Sequence, residues 1–349
     1  MSAKYNHPLN VAVIGCGNWG QNLIRVFHNI GALYAVCDRD PSKAAYFSEK
    51  YQVLAVSFEE VFSEAIDAVV IATPSTTHFE WGQKALHANK HVFIEKPLAL
   101  QTRHGVILKE LAQKHQKVLM VGHLLRYHPA FCTMQSLLST GMLGALQTIR
   151  SQRTNLGKYA SEQNVLWDFA PHDISQILAL VGEMPIEVYA TCGRFLKHTQ
   201  VDCVDLILRF KSGIEAQIYI SWIAPEKTRL LTVVGSEGVA ILDDTKTNAD
   251  KLRFAAYPTQ WQDGLPHPFT LPLNPISFED SEPLFNECTH FLNSISHLSP
   301  VLSDADEGIR VLEILEAAQR SMHTRQVISI KAKSKLVSES EKRLHEVLN

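Results

Sequence analysis

The sequence predicts an α/β protein in two parts: a doubly wound parallel sheet, then an α+β region carrying an open, mostly antiparallel sheet. Three observations carry the prediction. Apolar strand-like runs alternate with helix-like runs over residues 9–121, a glycine-rich hexad sits where the first strand hands over to the first helix, and after residue 122 the pattern changes to strict alternation. The expected division is 1–122, 123–330 and a charge-rich tail over 331–349.

Taken in order, Leu9 to Ile14 is an apolar strand, Asn18 to Ile30 has Leu23, Val26, Phe27 and Ile30 at helical spacing and stops at Gly31, and Ala32 to Cys37 is a strand again. The rhythm continues through a strand at 68–72, a helix at 77–88, a strand at 91–94, a helix at 102–115 and a strand at 117–122. Strands this apolar, separated by helices, belong to a parallel sheet covered on both faces. Later, Val204, Leu206, Leu208 and Phe210 alternate with Asp205 and Arg209, Lys211-Ser212-Gly213 turns the chain, and Ala216, Ile218, Ile220 and Trp222 alternate again. A second hairpin joins Leu230–Val234 to Val239–Leu242 through Gly235-Ser236-Glu237-Gly238. Residues 283–298 and 304–322 read as helices, the second with Ile309, Leu312, Leu315 and Ala318 on one stripe.

A length of 349 residues exceeds one ordinary core, and 46% apolar with 20% charged residues is a globular composition. With no apolar run long enough for a bilayer, no membrane partner is expected. The 33 Lys plus Arg and 36 Asp plus Glu leave no basic excess, so nucleic acid is not an expected partner. Six cysteines without a C-x-x-C pair, and no apolar leader near the N-terminus, fit free thiols in the cytoplasm; no metal site is expected.

Gly15-Cys16-Gly17-Asn18-Trp19-Gly20 fits G-x-G-x-x-G in its strand-to-helix context. The first two glycines permit a tight turn and close approach to a pyrophosphate, and Gly20 lets helix and strand pack. Asp38 lies 18 residues beyond Gly20, at the end of the second strand, where a carboxylate accepts from ribose hydroxyls and repels a 2′-phosphate. This favours NAD over NADP, with Arg39 beside it able to stack on adenine or meet a phosphate.

Two further segments lie where open α/β folds bind ligands. Ala72-Thr73-Pro74 and Glu95-Lys96-Pro97 end sheet strands, and Pro97 keeps Lys96 out of helical geometry, so its ammonium can project over the strand ends and stabilise alkoxide-like charge. A plain surface lysine is the alternative. Asp168 and His172, four residues apart, are read near the start of a helix whose first turn holds Pro171 and whose buried stripe is Ile174, Ile177, Leu178 and Val181. There the carboxylate would orient the imidazole as a general base; a capping role for Asp168 is the alternative.

As a set, these elements resemble the Gfo/Idh/MocA family of NAD(P)-dependent sugar and inositol oxidoreductases over about residues 9–330. The resemblance implies a Rossmann domain, a second domain whose open sheet makes a homodimer or homotetramer interface, and catalysis by Lys96 and His172 supported by Asp168. Val121 to Pro129, Asn155-Leu156-Gly157, Val165 to Asp173 and Ser221 to Lys227 are similar to the subgroup that oxidises the 3-hydroxyl of UDP-N-acetylglucosamine or its uronic acid, although position 128 is His where many relatives have Asn and 169 is Phe where Leu is usual. The expected cofactor contacts are Gly15, Gly17, Asn18, Trp19, Gly20, Asp38, Arg39, Thr73, Pro74, His78, Glu95 and Lys96; the expected substrate contacts are Arg126, Tyr127, Asn155, Lys158, Trp167 and His172. Arg153, Lys227 and Arg229 are further cations for a substrate diphosphate. A dehydrogenase of a free sugar, inositol or sugar acid, and a non-catalytic NAD-binding sensor, are the rival readings, and which of Lys96 and His172 takes the proton first stays open.

Overall fold

The computed structural model describes residues 9–156, 163–196, 200–257, 261–262, 265–266, 272–297 and 299–330. The expected tail at 331–349 and Lys158 lie outside them.

The first sheet is built from β1 (Val11–Ile14), β2 (Leu33–Cys37), β3 (Leu54–Ala55), β4 (Ala68–Ile71), β5 (His91–Glu95) and β6 (Leu119–Gly122), crossed by α1 (Gly20–Ile30), α2 (Pro41–Tyr51), α3 (His78–His87) and α4 (Thr102–Lys114). Its six strands are parallel in the order β3-β2-β1-β4-β5-β6. The order reverses between β1 and β4, so their carboxyl ends open the crevice in which such sheets bind dinucleotides. β1 and β4 are buried along their whole length, as strands covered on both faces must be. The sequence reading passed over α2, although Asp40 caps it by accepting from Ser42 N at 3.0 Å and Pro41 opens it.

A short 3-10 turn, Leu124–Tyr127, leads from β6 into α5 (Pro129–Ser139), after which the chain forms β7 (Leu146–Thr154), α6 (Val165–Val181), β8 (Pro185–Gly193), β9 (Cys203–Phe210), β10 (Glu215–Ser221), β11 (Thr228–Gly235), β12 (Gly238–Asp243), α7 (Asn248–Lys251), β13 (Leu252–Ala256), α8 (Pro283–His297) and α9 (Ala305–Thr324). The second sheet runs Asn274–Pro275, β13, β12, β11, β7, β10, β9, β8, Ile328–Ser329. Only β7 and β10 pair in parallel among its neighbours; both expected hairpins are present, with Ala216 opposite Leu208 and Val234 opposite Val239.

The late helices return to the first sheet. Leu284, Cys288, Phe291 and Ile295 of α8 share one buried cluster with Val11, Val13 and Leu23, and Phe291 meets Phe93 edge-on at 5.7 Å. Residue 122 therefore divides the sheets but not the cores. Helix α6 also differs from expectation. Asn164 caps it by accepting from Trp167 N at 3.2 Å, so Val165 opens the helix and Pro171 falls in its second turn. A proline there leaves the Trp167 carbonyl without its helical donor and crowds that turn.

Gly20 shows how closely the first loop is packed: a Cβ there would stand 1.8 Å from the Gly15 carbonyl oxygen. Gly20→Ala should therefore lower stability by about 1–3 kcal/mol, since overpacking outweighs the gain of roughly 1 kcal/mol in helix propensity. A thermal melt checks this, and an unchanged or raised midpoint would contradict it.

Candidate active site

Three glycines shape the loop between β1 and α1 in different ways. Gly15 holds φ at 100°, and a Cβ on it would stand 2.6 Å from the Ala72 carbonyl oxygen. Gly17 alone of the three has nothing within 4 Å of a built Cβ, so its bare backbone faces open space beside a helix N-terminus that no side chain caps. An uncapped helix end beside an open glycine fits the pyrophosphate of a dinucleotide. Asn18 and Trp19 are exposed at the same turn. Asp38 closes the loop from the other side, its Oδ2 accepting from Cys16 N at 2.6 Å and its Oδ1 from Asp40 N at 2.8 Å. Each oxygen keeps acceptor capacity for ribose hydroxyls. Arg39 is exposed next to it.

Thr73 and Pro74 follow β4, and the Thr73 hydroxyl accepts from Thr77 at 2.8 Å. His78, expected among the cofactor contacts, lies behind them. Its ring is buried, with Nδ1 2.7 Å from the Pro97 carbonyl and Nε2 2.9 Å from the Thr73 carbonyl, and burial lowers its pKa. A neutral imidazole donates to only one of these carbonyls, and the ring is packed between the turns after β4 and β5.

Glu95 ends β5, buried, accepting from the Trp19 indole N–H and from Lys96 N at 3.2 Å. Burial pushes its carboxyl up to about 7. The Lys96 ammonium crosses to α6, donating to the Asp168 carbonyl at 2.8 Å and to Asp168 Oδ1 at 3.2 Å. That carbonyl lies in the turn opened by Pro171, which gives a side-chain donor room to reach it. The Trp222 indole, not foreseen from sequence, donates to Asp168 Oδ2 at 3.3 Å.

The expected Asp168–His172 dyad is absent, because the carboxylate serves Lys96 and Trp222 instead. His172 Nδ1 is buried with no protein partner among the described residues, which leaves Nε2 as the ring nitrogen with access to solvent. Burial first, then the charges of Lys96, Arg153, His123 and Arg229, push its pKa well below the usual imidazole value. The Lys96 charge therefore acts on the His172 ring, and the imidazole there is neutral.

Several expected substrate contacts are engaged elsewhere. Arg126 is buried, its Nη1 2.6 Å from Glu307 Oε1; the Tyr127 hydroxyl lies 3.0 Å from Ser303 Oγ; the indole of buried Trp167 donates at 2.9 Å to Gln319, which is exposed. Each has a polar partner on α9 or in the turn that precedes it. Asn155 is half-buried just past β7, its N–H donating to Ser221 O at 3.0 Å. Arg153 is held bidentately by buried Asp173 at 2.9 and 3.0 Å. Arg229 is half-exposed, with Nη1 3.2 Å from Asp244, and Lys227 is exposed. Asp244 also meets Lys251 at 2.8 Å and His128 at 3.3 Å; burial raises its pKa, but these partners outweigh burial and hold it well below the usual carboxylate range. Arg153, Asp173, Arg229, Asp244 and His128 line a small cavity beside α6.

The comparisons with known proteins agree with this layout. The family described as "Oxidoreductase family, NAD-binding Rossmann fold" matches residues 9–123, and the GFO/IDH/MocA C-terminal domain matches 131–241. The chain is 27% identical over 305 residues to UDP-N-acetylglucosamine 3-dehydrogenase of Acidithiobacillus ferrooxidans, covering 87% of this chain and 94% of that one. A solved structure of that enzyme superposes with a TM-score of 0.82 at 26% identity, covering 91% of this chain and 98% of that one. Inositol 2-dehydrogenase of Rhizobium meliloti is 26% identical over 311 residues, 85% of this chain and 91% of that one. The NADP(+)-linked scyllo-inositol 2-dehydrogenase of Bacillus subtilis is 28% identical over 297 residues, 78% and 81% of the two chains.

The buried acids give a stability prediction. Burial, together with the charges of Glu95 and Glu307, raises Glu287 on α8 well above the usual carboxyl pKa of 4.5. The folded chain then binds a proton that the unfolded chain releases, so stability falls as pH climbs from the ordinary carboxyl range toward the folded value, by about 1.4 kcal/mol per unit for one such group. Glutamine cannot ionise. Glu287→Gln should therefore gain melting temperature over the parent progressively above pH 4.5, whereas parallel pH–stability curves would mean that Glu287 is ionised in the folded protein.

Proposed function

The chain belongs to the GFO/IDH/MocA oxidoreductase family, and we propose that within it the protein oxidises the 3-hydroxyl of UDP-N-acetylglucosamine or its uronic acid with NAD⁺. The coarser statement is that of a sugar or polyol dehydrogenase on an NAD-binding Rossmann fold. The observation that carries the reading is Lys96, anchored on α6 one turn before His172, with a neutral imidazole beside it.

An NAD⁺ held at its pyrophosphate by the Gly15–Gly20 loop and at its adenosine ribose by Asp38 would supply the hydride acceptor. The chain supplies the rest. Lys96, oriented by the Asp168 carboxylate and carbonyl, donates to the substrate oxygen and stabilises the negative charge that develops on it. His172 takes the hydroxyl proton at Nε2, a role open to it because it is uncharged at neutral pH. Asp168 acts on Lys96 and not on the imidazole. Asp38 favours NAD by presenting a carboxylate where NADP carries its 2′-phosphate.

The nucleotide-sugar assignment is supported by the likeness to the Acidithiobacillus enzyme over 87% of this chain. With Arg126 and Arg153 committed to Glu307 and Asp173, the diphosphate falls to Arg229 and Lys227, joined by Lys158. The similar identity to inositol 2-dehydrogenase supports a second reading, in which the substrate is a free polyol and these cations play no part. Incubation with UDP-N-acetylglucosamine, its uronic acid and myo-inositol, each with NAD⁺ and with NADP⁺, separates the two. NADH formed from either nucleotide sugar is expected; turnover of myo-inositol alone would refute the proposal, and a KM for NADP⁺ at or below that for NAD⁺ would refute the role of Asp38.

Two variants test the mechanism. Lys96→Ala and His172→Ala should each lower kcat by roughly 10²–10⁴, the usual worth of positioned acid–base groups, while NAD⁺ still binds. In the parent enzyme, the acid limb of kcat/KM should lie below pH 6.5, because a depressed imidazole stays unprotonated to lower pH. Near-parental turnover in either variant, or an acid limb above that value, would contradict the assignment.

A further inference from the structure

Oxidising a hydroxyl yields one proton per turnover: the C–H hydrogen leaves with its electron pair to nicotinamide, and the O–H hydrogen leaves as a proton. His172 is poorly suited to keep that proton, because burial first, and then the charges of Lys96, Arg153, His123 and Arg229, disfavour its cation. Behind it lies a group of buried polar atoms without protein partners. Of twelve such side-chain atoms among the described residues, seven belong to His172 (Nδ1), His123 (both ring nitrogens), Arg126 (Nε), Glu287 (both oxygens) and Glu307 (Oε2). Native interiors rarely leave polar atoms unsatisfied, and a cluster of this kind is where ordered water is held.

The fold brings these residues to one place. His123 directly follows Gly122, which is registered opposite Glu95 in the sheet and leaves only 3.0 Å between a built Cβ and the Glu95 carboxyl. The turn after His123 packs on both α6, which carries His172, and α8, which carries Glu287; α9, which carries Glu307, packs on α6 and β6. His123 Nδ1 is 3.5 Å from Glu307 Oε1, too long for a good hydrogen bond but close enough for the carboxylate to offset a cation on the ring. His123 itself is 1% exposed.

We propose that His123 is the outlet for the reaction's proton: as His172 accepts a proton from the substrate at Nε2, it releases one from Nδ1 through buried water to the His123 ring, which lies against the Glu307 carboxylate. Each imidazole gains one N–H and loses another, so no charge accumulates at His172, and the ionised Glu307 carboxylate against the His123 ring receives the departing proton. His123 touches neither substrate nor cofactor and acts only through His172. The inference needs a dehydrogenase that oxidises a hydroxyl but is indifferent to which sugar carries it.

The test has two arms, both on the full chain. A high-resolution crystal structure of the parent protein should show ordered water within hydrogen-bond distance of His172 Nδ1 and of the His123 ring; a dry contact there overturns the proposal whatever the substrate proves to be. The kinetic arm uses His123→Gln, which keeps polarity but cannot carry a proton as a cation, with whichever of UDP-N-acetylglucosamine, its uronic acid and myo-inositol the parent oxidises. The expected result is a fall in kcat on the order of 10²-fold, a larger solvent deuterium isotope effect, a smaller isotope effect from deuterium on the reacting carbon, and partial recovery with added imidazole. Unchanged kcat, or a loss with neither isotope effect altered and no recovery by imidazole, would assign His123 a structural role only.

Discussion

The site depends on one bridge, the Lys96 ammonium held by the carbonyl and carboxylate of Asp168. Lys96 belongs to the turn after β5 and Asp168 to α6, so this pair joins the sheet that carries the glycine loop to the helix that carries His172. Both side chains keep about a fifth of their exposure, 20% and 23%, so the pair is partly desolvated yet still reachable from the crevice. Removing one partner of a fully buried pair costs about 3–5 kcal/mol, and the cost here is smaller because water screens part of the charge. What the bridge supplies is direction. The ammonium has three donors, two directed at Asp168, which leaves the third for a substrate oxygen.

Supports for this bridge come from both sides. His78 is packed between the turns after β4 and β5, against the Thr73 and Pro97 carbonyls, and supports the backbone from which Lys96 projects. On the opposite side, Pro171 opens the second turn of α6, and the Trp222 indole steadies the second oxygen of Asp168. The Lys96 ammonium adds a charge-assisted bond at the Asp168 carbonyl, next along the helix from the Trp167 carbonyl that Pro171 leaves without its helical donor.

Much of this was legible in the sequence, and the parts that were not share a cause. The strand–glycine–helix grammar, both antiparallel hairpins and the late helices follow from periodicity, which is a local signal. Arg126, Tyr127 and Trp167 sit in motifs that suggest substrate contacts, while their partners in the structure, Glu307, Ser303 and Gln319, lie far along the chain, where no local pattern announces them. Helix α6 was misplaced by trusting Pro171 as a first-turn marker, when Asn164 three residues before Trp167 was the better capping signal. The absence of an Asp168–His172 bond was beyond periodicity altogether, since four-residue spacing allows a contact that Lys96 and Trp222 then take.

The charge arrangement explains why a polar interior is kept behind the site. His172 is kept neutral first by burial and then by the charges around it, yet both also make the protonated product of base catalysis less stable. Carboxylates placed directly on the imidazole would cancel the depression and protonate the base before substrate arrives. Setting an ionised carboxylate farther back, at Glu307 beside His123, keeps the base neutral at rest and still offers the departing proton a more favourable location. Well-packed apolar side chains would fill the same space at lower cost in stability. The retention of hydratable acids and an imidazole there is therefore best understood through the traffic of protons and not through the stability of the fold.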